Sequence, residues 1–176
     1  KTIDREQAIQ SGLLTVIGKD VDAAYYAKLT GMARRPENIQ KYAPKIKAAY
    51  TPLFGTGMRT IAATAMKLPY DIHVVASQEK PNPEFPGLDA PNPEDPRAMT
   101  EAIRLANEIG ADIAFGTDPD ADRMGAAIPN ESGEFVMISG NQVGCILIDY
   151  LLRHRAETGE ILPTDFIVKS FVSTRM

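Results

Sequence analysis

Apolar and polar positions change rhythm several times along the chain, and each change marks an element. Residues 1 to about 43 are polar with short apolar groups, Ile9, Leu13 and Leu14, then Val21, Tyr25 and Leu29, which predicts a helical lead-in. From Lys45 to Leu53, Ile46 and Ala48 alternate with Lys47, and Tyr50 and Thr51 favour the pleat, so this stretch predicts a strand that ends at Pro52. Gly55-Thr56-Gly57 turns the chain into a helix reaching about Leu68, and a second strand follows from Asp71 to Ala76. Farther on, Asp95 and Pro96 form a helix start, with a side-chain acceptor and a φ preset for the first turn. Met99, Ala102, Ile103, Ala106 and Ile109 recur at helical spacing, and Gly110 stands where such a helix would stop.

Ala111 to Thr117 is a short apolar strand, and Met124 to Asn130 with Glu134 to Ser139 predicts a hairpin. A helix from about Asn141 to Arg155 should bury Val143, Ile146, Leu147, Tyr150 and Leu151. Its basic end, Arg153-His154-Arg155, suits the negative pole of the helix dipole. Asp165 to Phe171 reads as one more strand. The order predicts an α/β fold, a three-layer α/β/α sandwich on a mixed, mostly parallel sheet with one antiparallel edge.

Six of the 13 prolines lie between Pro81 and Pro96. Proline removes a donor and fixes φ, so this segment must be an extended loop. A loop of that length inside a compact domain is functional or a linker. Composition is near the globular average, with 44% hydrophobic and 24% charged residues over 176 positions. A net charge of −4 gives no basic footprint for nucleic acid, and no apolar run is long enough for a membrane span. Cys145 is the single cysteine, which fits a cytoplasmic, reducing compartment, and its apolar helix predicts an inert packing role. Met99, Met124 and Met137 read as core filling, and His73 as a sheet-face residue. The chain opens on Lys1 and stops just past an expected strand, as an excised segment would.

Chemistry concentrates in Thr117-Asp118-Pro119-Asp120-Ala121-Asp122-Arg123. Three carboxylates at alternate positions can converge on one hard cation, Mg²⁺ or Ca²⁺, when the loop bends. An EF-hand also opens this way, but Arg123 stands where its Gly belongs and Pro129 where its Glu belongs. A solvated acidic turn has the same composition, so spacing alone leaves two readings. Placement favours the cation, because the loop leaves the C-terminal end of a strand, where ligands bind in open α/β sheets. Arg123 adds a fixed cation suited to a phosphoryl group. Gly55-Thr56-Gly57 could receive an anion at a helix start, but with two glycines and no following Lys it reads as a tight turn.

Gly116-Thr117-Asp118-Pro119-Asp120-Ala121-Asp122-Arg123-Met124-Gly125 resembles the metal loop of the α-D-phosphohexomutases, the phosphoglucomutase and phosphomannomutase superfamily. Tyr50-Thr51-Pro52-Leu53-Phe54-Gly55-Thr56-Gly57 resembles the start of that family's second domain. Asn82-Pro83-Glu84-Phe85-Pro86 with Pro91-Asn92-Pro93-Glu94 resembles its proline-rich loop, and Ser139-Gly140-Asn141-Gln142-Val143-Gly144 its last helix start. Val168-Lys169-Ser170-Phe171-Val172-Ser173-Thr174 resembles the first strand of the third domain. The phosphoglucomutase/phosphopentomutase branch is the nearest in pattern.

The resemblance implies a lead-in at residues 1–43, a metal-binding second domain at 44–160 and a truncated third domain at 161–176. It implies Mg²⁺ held by Asp118, Asp120 and Asp122, with Arg123 a supporting contact to the phosphoryl group. The substrate would be a hexose or pentose phosphate, interconverted through a phosphoserine and a bisphosphate intermediate. The Ser-His-Asn-Pro nucleophile motif is absent from the six serines of this chain, so the segment alone is expected to be inactive. Phe54 stands where the family usually has His. Two further readings stay open: an unrelated Mg²⁺-dependent phosphatase or phosphotransferase, and a non-catalytic domain that kept the acidic loop.

Overall fold

The computed structural model describes residues 2–168. They fall into two units, one up to Ala33 and one from Arg34 onward. The first holds two helices, α1 (Arg5–Gln10) and α2 (Lys19–Thr30). Asp4 caps α1 by accepting from the N–H groups of Glu6 and Gln7. Ala8 is its buried side chain, whereas Leu13, Val21 and Tyr25 are exposed, so the apolar groups of this unit build little core.

The second unit begins with α3 (Pro36–Tyr42) and carries one sheet. Its strands are β1 (Lys47–Thr51), β2 (Asp71–Val74), β3 (Ile113–Thr117), β4 (Met124–Pro129) and β5 (Phe135–Ile138). They lie in the order β2-β1-β3-β4-β5. β1 pairs parallel with β2 and β3, whereas β3–β4 and β4–β5 are antiparallel. The sheet is therefore mixed, and its antiparallel part covers two ladders, wider than one edge, because β4 returns directly from β3. Helices α4 (Gly57–Ala63), α5 (Thr100–Ile109) and α6 (Gly140–Glu157) follow β1, β2 and β5 in the chain. This is an open α/β fold with helices around a five-stranded sheet.

Small residues set how closely α5 approaches. Ala49, Ala114 and Ala127 stand side by side across β1, β3 and β4, and Ala102 and Ala106 of α5 pack against them. All five are fully buried. The next row toward the loop end is Thr51, Gly116 and Gly125. There Met99 packs over Gly116, so that an added Cβ would stand 2.8 Å from its sulfur. On the opposite face Tyr50 stacks on Phe115, ring centroids 4.8 Å apart. Gly110 closes α5 at φ 63°, a left-handed conformation that glycine adopts without cost. The helix itself starts at Thr100, since Asp95 to Met99 form a turn in which Asp95 accepts from Arg97, Ala98 and Met99.

The proline-rich segment between β2 and α5 is ordered by its asparagines. Pro-Asn-Pro-Glu occurs twice, and both copies fold alike. The Glu84 N–H donates to the Asn82 side chain (3.0 Å) and the Glu94 N–H to that of Asn92 (3.1 Å).

Several expectations fail here. α6 buries none of its side chains: Ile146, Leu147, Tyr150 and Leu151 are all exposed and Val143 is half-buried. Apolar residues surround this helix instead of forming one stripe, and such a helix needs cover on several sides. Cys145 is likewise exposed rather than packed, and so is Met124, whereas Met99 is fully buried. Of the strand expected at 165–171, residues 165–168 carry none and the remainder lies outside the described residues. Ile146→Glu should accordingly change stability by less than about 0.5 kcal/mol in urea unfolding, as surface substitutions do. A loss near ~2 kcal/mol, the scale of a lost core side chain, would show that α6 packs.

No helix among the described residues is long and apolar enough to cross a membrane.

Candidate metal centre

β3 is the middle strand, and the acidic loop joins its C-terminal end to β4. The Asp118 N–H donates to the Arg123 carbonyl, and the Ala121 N–H to the Asp118 carbonyl at 3.0 Å, which closes a tight connection. The sharpest point is Ala121 at φ 60°. In this bend Asp118, Asp120 and Asp122 each offer a carboxylate oxygen, and the three oxygens lie within 4.8 Å of one another. Asp118 is buried at 2% exposure, and Asp120 and Asp122 are open to solvent. One carboxylate of the cluster is thus buried and two are accessible from solvent.

Arg123 folds back on the same group. Its N–H donates to Asp118 Oδ1 at 3.1 Å, and its Nε to Oδ2 at 2.9 Å. Burial pushes the Asp118 carboxyl up, but these two donors and Asp122 outweigh it and hold it below the ordinary carboxylate range. Asp122 moves the other way, raised by its hydrogen bond with Asp118 and by the charge of Asp120. Opposite shifts in adjacent carboxyls are what crowded anions produce. A divalent cation relieves that crowding, and three hard oxygens suit Mg²⁺ or Ca²⁺ over soft metals.

The four residues singled out in the sequence, Asp118, Asp120, Asp122 and Arg123, are thus brought into one cluster. The sequence did not show what holds them. The turn after β1 lies directly against the loop: the Thr56 N–H and hydroxyl both donate to the Pro119 carbonyl, at 2.8 and 3.0 Å. Tyr50 and Thr117 share a hydrogen bond of 2.9 Å just before Asp118. Burial pushes the Tyr50 hydroxyl up, so it stays protonated. The partners stand 63 and 67 residues apart in the chain, beyond the reach of any local pattern. Phe54, within this turn, is buried, and its N–H donates to the Gln78 carbonyl at 3.0 Å.

Comparison with known proteins agrees with the resemblance read from the motifs. Residues 23–133 match the family model described as phosphoglucomutase/phosphomannomutase, alpha/beta/alpha domain II. A phosphoglucomutase of Staphylococcus aureus strain USA300 is 34% identical over 137 residues, which is 76% of this chain and 25% of that protein. The phosphoglucomutase of strain MRSA252 matches to the same extent. The chain thus spans about a quarter of the length of these curated relatives. A phosphomannomutase structure from Thermus thermophilus superposes with a TM-score of 0.57 at 21% identity, over 74% of this chain and 28% of that one, and supports the fold. The motifs, the fold and the family match agree, and the chain belongs to the α/β/α domain II family of phosphoglucomutases and phosphomannomutases.

Proposed function

We propose that the chain is the metal-binding domain of a phosphohexomutase, with Asp118, Asp120 and Asp122 holding Mg²⁺ and Arg123 contacting the transferred phosphoryl group. The observation that carries this reading is the convergence of the three carboxylates within 4.8 Å at the end of the central strand. Bound there, the cation would neutralise charge on the phosphoryl group, the usual electrostatic contribution to phosphoryl transfer. The buried Asp118 and the exposed Asp120 and Asp122 would hold the cation, and Arg123 would supply a planar donor to the phosphoryl group. The substrate would be a hexose or pentose phosphate, converted through a phosphoserine and a bisphosphate in a cytoplasmic enzyme. No serine here has the nucleophile's context, so this segment alone should not turn over glucose 1-phosphate.

Binding of Mn²⁺, followed by the broadening of nearby NMR signals or by calorimetry, tests the assignment. The chain should bind Mn²⁺ and Mg²⁺ competitively. Asp120→Ala, at an exposed position that costs the fold little, should weaken binding at least about tenfold, since even outer-shell changes at metal sites cost that much. An unchanged affinity in that variant removes the site.

A further inference from the structure

Resting on the cation reading above, we infer that the turn from Leu53 to Gly57 is a preformed template for the acidic loop, with Gly55 and Thr56 as positioning residues. Pro119 sits between Asp118 and Asp120, and its carbonyl is gripped by both donors of Thr56, at 2.8 and 3.0 Å. Gly55 lies flat against the same residue: a Cβ there would stand 2.3, 2.5 and 2.7 Å from the Cα, O and C atoms of Pro119. These are backbone atoms and cannot rotate aside. Gly57 makes a similar approach on the other side of Asp118, where a Cβ would lie 2.5 Å from both the Thr117 and the Tyr50 oxygens.

The turn is built to hold its shape. Leu53 and Phe54 both stand in the left-handed region, at φ 46° and 60°, although neither is glycine. Strain of this kind persists only where the surroundings over-determine it, and it clusters at functional sites. Here Leu53 is fully buried and its N–H donates to Thr51 Oγ1, which in turn donates to the buried Gln78 at 2.6 Å. The Asn82 N–H donates to the Phe54 carbonyl at 2.9 Å, so the proline-rich segment clamps the turn from outside. Three carboxylates repel, and a loop left to itself would splay. A rigid wall fixes Pro119 and thereby the separation of Asp118 from Asp120 before any cation arrives, which lowers the ordering cost of binding.

The test measures Mn²⁺ affinity and loop amide shifts in Thr56→Val, Thr56→Ser and Gly55→Ala. Thr56→Val deletes one donor at an exposed position and should weaken Mn²⁺ about tenfold, the scale of lost outer-shell support. Thr56→Ser keeps the hydroxyl and should restore the affinity, which a purely structural role in stability would not require. Gly55→Ala should weaken binding further, with melting followed to confirm that it folds. Unaltered Mn²⁺ affinity in Thr56→Val overturns the inference, whatever Gly55→Ala does. A parent chain that binds no Mn²⁺ while Thr56→Val still displaces the Asp120, Asp122 and Arg123 amides sinks the cation reading and leaves the template standing. Unmoved amides in that case sink both.

Discussion

Asp118→Asn should abolish cation binding while leaving the chain folded. Asn keeps one oxygen to accept the Arg123 N–H at 3.1 Å and nearly the same volume in a site only 2% exposed, while its amide nitrogen, which cannot accept, gives up the bond from Arg123 Nε at 2.9 Å. It removes the charge of the one buried carboxylate in the proposed cation site. The Mn²⁺ dissociation constant should rise at least about a hundredfold, above the range of outer-shell losses. Asp118→Ala should lose binding equally and also cost about 1–3 kcal/mol, because the Arg123 N–H is left without its acceptor.

The same pair of carboxyls sets a pH dependence. Asp118 lies low, so its contribution to stability is present above the unfolded carboxyl range and fades as pH falls through its folded value. Asp122 lies high, so its contribution is present below that range and is lost as pH rises through its folded value. Cation binding would need both ionised, so at a pH below the raised Asp122 titration it would release that carboxyl's proton. Affinity should fall with pH through the raised Asp122 titration, and Asp122→Asn should flatten that part of the profile. Calorimetry in buffers of different ionisation enthalpy counts the protons released.

The acidic loop and the strands around it were legible because their signals are local. Asp118, Asp120 and Asp122 recur at a spacing that a short bend can close, and Ile113 to Thr117 is an apolar run with polar ends. Two features were hidden for opposite reasons. The grip of Thr56 on Pro119 is a contact across the sheet, and neither residue's neighbourhood advertises the other. The exposure of α6 was hidden because its apolar residues imply burial, yet nothing in the chain says what would cover them. The repeated Pro-Asn-Pro-Glu was in plain sight as a proline cluster, but its two Asx turns depend on backbone bonds made by the asparagines. A proline count shows an extended loop and leaves its ordered shape unread.

That ordered shape has a sharp consequence at Gly125. This residue pairs with Gly116 beside the acidic loop, and the Pro93 carbonyl lies directly over it, so that a Cβ would stand 1.9 Å from the oxygen and 2.5 Å from the carbon. Pro93 is fully buried and lies within the second Asx turn, so it has no room to retreat. Gly125→Ala must push the proline-rich segment off the sheet or bend β4 away from β3. Overpacking in a well-filled core costs about 1–3 kcal/mol, and a clash between backbone atoms belongs at or above the top of that range. Gly133 is the control: it stands at φ 82° with nothing within 4 Å of an added Cβ. Gly133→Ala should cost only the left-handed strain, about 1–2 kcal/mol. The two alanine variants share their chemistry and differ in what the new methyl meets. Urea unfolding should rank Gly125→Ala as the more damaging by about 1 kcal/mol or more. Amide exchange at Met99 to Ile103 should rise in that variant alone, since Met99 packs over Gly116 in the same row and moves with the displaced segment. Equal losses in the two variants would mean that Pro93 yields easily, and the segment would then be a cover over the sheet rather than part of its core.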